Sequence, residues 1–221
     1  MALLAGHLTK LQAVNDMLGT IGENPVNSLS SGLPDAELAE SILDRVSREI
    51  QLEGWHCNTR EDVELSINVD DQFALPDNTL KVDTVNPRGP RKNRTPSPHS
   101  YINVSMRRSS DDTKWLLYDV DNDSETWTDA GLNELTVDIV QLLEFANLTP
   151  ALQMYVWTAA SRRFQQNVMG SQALDQFTAE DVASARTKAI NEEYENSDDN
   201  VIRDNTHVYD IVYRYNPHFG R

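Results

Sequence analysis

The sequence predicts an α+β fold: a helical bundle of about four helices drawn from both ends of the chain, an inserted small antiparallel β domain, and an extended C-terminal arm. Three observations predict it. Apolar residues recur every three or four positions between Leu11 and Ile50 and again from Leu152 onward. Between these stretches, over residues 61–142, apolar and polar residues alternate with period two. The chain then ends on "VYDIVYRYNPHFGR", a second alternating run that follows a strongly acidic stretch. The expected domains are 1–60 with 143–196 as the helical bundle, 61–142 as the β insert, and 197–221 as an acidic hinge and arm. A chain of 221 residues is long enough to bury a core in one large or two small domains.

The first helix is read from Leu11, Val14, Leu18 and Ile21, which fall on one stripe before Gly22 and Pro25 stop it. "NPVNSLSSGLP" is a loop by composition, and a second helix begins near Pro34, where proline suits the first turn. In it Leu38, Ile42, Val46 and Ile50 recur every four residues, with Glu40, Asp44, Arg45 and Arg48 outward. Gly54 closes it and Trp55 folds back. "DVELSINV" alternates Val63, Leu65, Ile67 and Val69, and strands follow at Leu80 to Val85, Tyr101 to Met106, Lys114 to Val120 and Leu135 to Leu142. Helix returns at "LTPAL", with Thr149 as N-cap, Pro150 as first helical residue, and Leu152, Tyr155, Val156 and Ala159 on one face. The last helix is predicted to start at "FTAEDV", with Thr178 as N-cap and Phe177 stapled to Val182. Its face of Val182, Ala185, Ala189 and Tyr194 is thin, which suits close packing or a subunit boundary.

Charge narrows the function classes. Thirty-five acidic against nineteen basic residues leave a net charge of −16, which argues against a surface that grips nucleic acid along its whole length. The single cysteine, Cys57, excludes an intramolecular disulfide and fits a reducing compartment. The opening "MALLAGHLTKLQAVNDML" lacks the basic region of a signal peptide, and no stretch approaches the roughly 18 uninterrupted apolar residues of a membrane span. The chain is therefore expected to be soluble or part of a soluble assembly, with no membrane partner.

Motifs for catalysis are missing. There is no G-x-S-x-G elbow and no phosphate-binding glycine loop, and the five histidines are scattered without metal-ligand spacing. "YDVDNDSETW" sets Asp119, Asp121, Asp123 and Glu125 at alternate positions like the opening of a calcium loop. Ser124 stands where that loop needs glycine, and Ala130 where it needs the bidentate glutamate. An acidic hairpin is the plainer reading. The sequence thus predicts no enzyme, no cofactor and no metal site.

Two segments stand apart. "NPRGPRKNRTPSPH" carries Arg88, Arg91, Lys92 and Arg94 among prolines, and reads either as a basic loop contacting an acidic partner or phosphate, or as a solvated polyproline-like loop. In the final segment Tyr209, Ile211, Tyr213 and Tyr215 share one side of an extended strand and Phe219 follows as a last apolar anchor. It either closes the protein's own sheet or docks on another subunit.

"LQAVNDMLGTIGENPVNSL" followed by "AESILDRVSREIQLEGWHCNT" resembles the N-terminal region of the tail tubular protein A family, the head-to-tail adaptors (gatekeepers) of short-tailed, podovirus-type bacteriophages. "VWTAASRRFQQNVMGSQ" and the acidic helix ending "INEEYENSD" resemble its C-terminal helices. The likeness spans about residues 8–60 and 133–200, while 70–130 does not match. The resemblance implies a structural virion protein of the tail, assembled in the host cytoplasm as a dodecameric ring between the portal protein and a tail nozzle of tubular protein B type. Tail fibres would dock near the join, and double-stranded DNA would pass through the channel without specific binding. On that reading the tail residues Tyr209, Ile211, Tyr213, Tyr215 and Phe219 dock on the portal or a neighbouring subunit. Glu192, Glu193, Glu195, Asp198 and Asp199 are the candidate acidic channel lining. The rival readings are a DNA-binding packaging or ejection factor using residues 88–94, and a calcium-binding enzyme or lectin built on the Asp119 hairpin.

Overall fold

The computed structural model describes residues 7–84, 102–110, 113–127, 132–170 and 172–196. The basic loop, Asp198, Asp199 and the arm 197–221 lie outside the described residues. The fold is α+β. Contacts divide the chain into two units, one made of residues up to Asn58 together with Leu142–Asn196, the other of Thr59–Gln141.

The helical unit holds α1 (Lys10–Ile21), α2 (Pro34–Gln51), α3 (Pro150–Met169) and α4 (Gln172–Asn196). A capping box starts α1: the Thr9 hydroxyl accepts the Gln12 amide at 3.2 Å while the Gln12 side chain accepts the Thr9 amide at 3.0 Å. The Thr9-x-x-Gln12 spacing is the sequence signature of this cap. Gly22 in the left-handed region, φ +83°, ends α1, and the Glu23 amide reaches back to the Leu18 carbonyl at 3.1 Å. Asn15 then holds the outgoing chain, its carboxamide donating to the Val26 carbonyl and accepting the Val26 amide.

The stripe of α2 differs from the expected one. Leu38 is 39% exposed, while Ala36, Ala39, Ile42, Leu43, Val46 and Ile50 are buried. A strict four-residue step turns 400° on a 3.6-residue helix, so each step drifts about 40° off the face. Mixed steps of three and four stay on it. Burying Ile42, Leu43, Val46 and Ile50 removes four aliphatic chains from water, on the order of 6–12 kcal/mol before conformational entropy is subtracted. The Trp55 indole does fold back, donating to the Ile50 carbonyl at 2.9 Å and meeting the Tyr155 ring edge-on at 6.3 Å.

Three buried amides join the two sequence-distant halves of this unit or brace the join. Gln51 donates to the Leu143 carbonyl at 3.0 Å and accepts the Leu143 amide at 2.7 Å. Gln153 accepts the Leu8 amide and donates to the Phe145 carbonyl. Asn58 accepts the Trp55 amide and donates to the Gln51 carbonyl. Each is at most 2% exposed, and each satisfies backbone groups that burial would otherwise orphan.

The start of α4 is a correction. The helix begins at Gln172, so Thr178 lies inside it and its hydroxyl donates back to the Asp175 carbonyl at 3.2 Å instead of capping. The capping signal at Thr178 is overridden because the helix already begins upstream, where Asp175 is anchored to α3.

In the second unit, β6 (Glu134–Gln141) pairs antiparallel with both β1 (Thr59–Ser66) and β3 (Thr79–Thr84), and β5 (Trp115–Asp119) with both β2 (Ala74–Leu75) and β4 (Val104–Arg108). Leu135, Val137 and Ile139 alternate inward as the sequence predicts, and meet Phe73, Leu117 and Trp127 in one core. Phe73 and Trp127 pack edge-on with centroids 5.4 Å apart. The expected strand position Val69 is instead 99% exposed, because β1 ends at Ser66. The Asn68 carboxamide then turns the chain by accepting the Asp70 and Gln72 amides.

Candidate functional site

The α3–α4 hairpin carries a groove between its two helices. Gly170, φ +60°, closes α3, and the chain reverses directly into α4. Contacts between Arg162 and Asp175 at one end, and between Ala151 and Glu192 at the other, show that the two helices run antiparallel.

Near the turn, the Arg162 guanidinium grips Asp175 with two bonds, Nε to Oδ1 at 2.7 Å and Nη2 to Oδ2 at 3.1 Å, and Gln166 donates to the same carboxylate. The Arg162 bonds, reinforced by Gln166, hold the Asp175 carboxyl below its ordinary value. Two exposed pairs tie α2 or its end to this hairpin: Arg163 with Glu49 at 2.8 Å and Arg186 with Glu53 at 3.0 Å. Solvent screens exposed pairs of this kind, so they orient the hairpin more than they stabilise it.

At the other end Thr149 occupies the N-cap position of α3, as its sequence context predicts, but its hydroxyl caps nothing. It donates to Glu192 Oε2 at 3.2 Å, and the same oxygen accepts the Ala151 amide at 3.2 Å. A carboxylate from α4 therefore serves the free amide and the positive end of the α3 dipole. Glu193 accepts the His56 amide. Together with Trp55, Leu152 and Ala189 these residues enclose Cys57 around a cavity of about 30 Å³, room for about one water. Burial pushes the half-buried Cys57 thiol above its ordinary value, and the neighbouring Glu193 and Glu192 add to the rise against two backbone hydrogen bonds that lower it.

Between the two ends runs a groove of about 430 Å³, with Ala151, Met154, Trp157 and Thr158 on α3 facing Ala185 and Lys188 on α4. Met154 is 47% exposed. The Trp157 indole nitrogen is enclosed with no hydrogen-bond partner among the described residues, a cost of about 1–3 kcal/mol.

The structure brings some of the sequence-predicted residues together and separates others. Glu192 and Glu193 are half-buried in contacts within their own unit, whereas Glu195 is exposed at the end of α4 beside Tyr194, which is 70% exposed. Asp198, Asp199, the tail residues Tyr209, Ile211, Tyr213, Tyr215 and Phe219, and the basic residues Arg88, Arg91, Lys92 and Arg94 lie outside the described residues. In the Asp119 hairpin the acids organise the turn. Asp119 is 4% exposed, and its carboxylate accepts the Asp121 and Asn122 amides at 3.0 Å and the Asn122 carboxamide at 2.8 Å. Asp123 accepts the Tyr118 hydroxyl, and that bond raises the tyrosine above its ordinary value.

Sequence reasoning missed the α3–α4 groove. Its walls are small or polar residues that no hydrophobic pattern singles out, and it arises from how the two helices lie side by side. Residues 11–199 match the family model described as Tail tubular protein. No curated protein matches the chain.

Proposed function

The chain belongs to the tail tubular protein family and is a structural component of a phage tail, and from that premise we propose that it is the head-to-tail adaptor, a ring between portal and tail nozzle through which DNA is packaged and ejected. The observation that carries this reading is the family match over both helical segments joined to a net charge of −16 per copy. Twelve copies of such a chain surround DNA, which carries about one charge per ~1.7 Å of axis, with charge of the same sign. A channel of that kind does not hold what it conducts. Glu195, exposed at the end of α4, with Asp198 and Asp199 beyond it, is the proposed lining. Glu192 and Glu193 stand next to it but make internal contacts as well.

The tail segment with Tyr209, Ile211, Tyr213, Tyr215 and Phe219 is proposed to dock on the portal or a neighbouring subunit, and the Arg88 to Arg94 loop on an acidic partner. The portal templates the ring, so the isolated protein is monomeric or weakly associated. Sedimentation velocity of the protein alone and with portal tests this: a slow species alone and a ring with portal is the expected result. A stable dodecamer without portal sinks the templating, and no association with portal at any concentration sinks the adaptor. The DNA-binding alternative predicts salt-dependent duplex affinity lost on replacing Arg88, Arg91, Lys92 and Arg94 together.

A further inference from the structure

We infer that α4 is a strap fastened to α3 by polar contacts at its ends, and that it leaves α3 and unwinds as a unit while α1, α2 and α3 stay folded. The inference goes beyond the adaptor reading and does not depend on it.

Burial sets α4 apart from its neighbours. α2 buries eight of its 18 residues and α3 six of its 20. Of the described side chains of α4, a helix of 25 residues and about 38 Å, only Ala189 is buried. Val182, Ala185 and Ile190 reach the core in part. Between the two ends of the hairpin a groove of about 430 Å³ takes up space that facing side chains would otherwise fill, and polar residues such as Ser161, Ser184 and Lys188 make up much of its wall.

What holds α4 is largely polar. Arg162 and Gln166 grip Asp175 near the turn, Glu192 takes the Ala151 amide and Glu193 the His56 amide at the far end, and Arg186 meets Glu53 between them. Water replaces such bonds at small net cost, whereas it does not replace buried apolar contact. Few buried apolar contacts and solvent-accessible fastenings mark a segment that opens at a lower free energy than global unfolding. The rest of the unit holds together without α4. Ile42, Leu43 and Val46 of α2 share a core with Val156 and Phe164 of α3. The Gln51 and Gln153 carboxamides that link the two halves of the unit bond to Leu143, Leu8 and Phe145, all outside α4. Once off α3, the helix unwinds, because most helical stability in proteins comes from packing.

Amide hydrogen exchange of the full-length protein, read by peptide mass spectrometry, tests the strap. Peptides from 178–191 are expected to exchange together, at least about tenfold faster than peptides from 38–50 and 152–164. Ala183→Gly, at an exposed position inside the helix, is expected to speed exchange about fivefold along the whole of α4, since every opening that unwinds the helix as a unit feels it. Ile42→Val trims the buried face of α2. It is expected to speed exchange of the α2 and α3 peptides about two- to tenfold and to leave that of α4 unchanged. Equal protection of α4 and α2, an Ala183→Gly effect confined to neighbouring residues, or an Ile42→Val effect that reaches α4 in equal measure overturns the inference. None of these outcomes depends on whether the protein joins a portal.

Discussion

Glu192 Oε2 lies 3.2 Å from the Ala151 backbone nitrogen, so the last turns of α4 supply the cap that the first turn of α3 lacks. Glu192→Ala leaves the amide and the Thr149 hydroxyl to water or to nothing. The expected loss is about 0.5–2 kcal/mol, the usual worth of an N-cap, read as a lower urea midpoint at unchanged slope. Glu192→Gln keeps an acceptor but no charge and is expected to lose less. Equal midpoints for all three proteins would show that the cap contributes nothing.

Gln51 is the costlier residue. Gln51→Ala strips partners from both the amide and the carbonyl of Leu143 in a buried setting. With each orphaned group worth about 1–3 kcal/mol, the loss is expected at about 2–6 kcal/mol. Lys10→Met, which removes the partly exposed bridge to Glu40 and Asp44, is expected to cost about 1 kcal/mol and to matter less in high salt. Chemical denaturation of the two variants side by side decides the order.

Acid should unclasp α3 from α4. Because Arg162 and then Gln166 hold Asp175 below its ordinary carboxyl value of 3.8, the carboxylate contributes stability that is fully present above that value and lost as pH falls through its lower value in the folded protein. The melting-temperature gap between the wild type and Asp175→Asn is therefore expected to be constant from neutrality down to about pH 4–5 and to close below 3.8. A gap that persists unchanged at the lowest pH at which both proteins fold would contradict the pairing.

Cys57 should be a poor nucleophile at neutral pH. Burial raises its thiol above the ordinary value of 9.0, so the reactive thiolate is scarce. Alkylation by iodoacetamide, followed as a mass shift, is expected to be slower than for an unfolded control at every pH below 9.0 and to keep rising beyond pH 9.0, where the control levels off. Rapid labelling of the folded protein at pH 7 would show an accessible, ionised thiol instead.

Element types were largely legible because the residues that set them act locally. Leu135, Val137 and Ile139 announce β6, Gly22 ends α1, and Pro150 opens α3, each through backbone geometry or a short-range period. What stayed hidden depends on distant partners. Gln51 and Gln153 look like surface residues until Leu143 and Leu8 come to meet them. Thr178 carries a good capping signal that loses to a helix anchored at Asp175 by Arg162. Glu192 reads as one acid in an acidic run, and only the antiparallel return of α4 makes it a cap. The groove beside Met154 has no local signature at all.

The link from Gln51 to Leu143 also sets a timetable for the newborn chain. These partners are 92 residues apart, so at ~5–20 residues per second the ribosome takes about 5–18 seconds to deliver the second after the first. Throughout that interval Ile42, Leu43, Val46 and Ile50 have no α3 to cover them. The strands of residues 59–141 emerge in the meantime, and their partners, β1 with β6 among them, are complete just before Leu143 appears. The β unit is thus able to finish first and shorten the gap that α2 must close. Slow synthesis, heat or loss of a holding chaperone in the infected cell would each act on that waiting helix before the chain joins a tail.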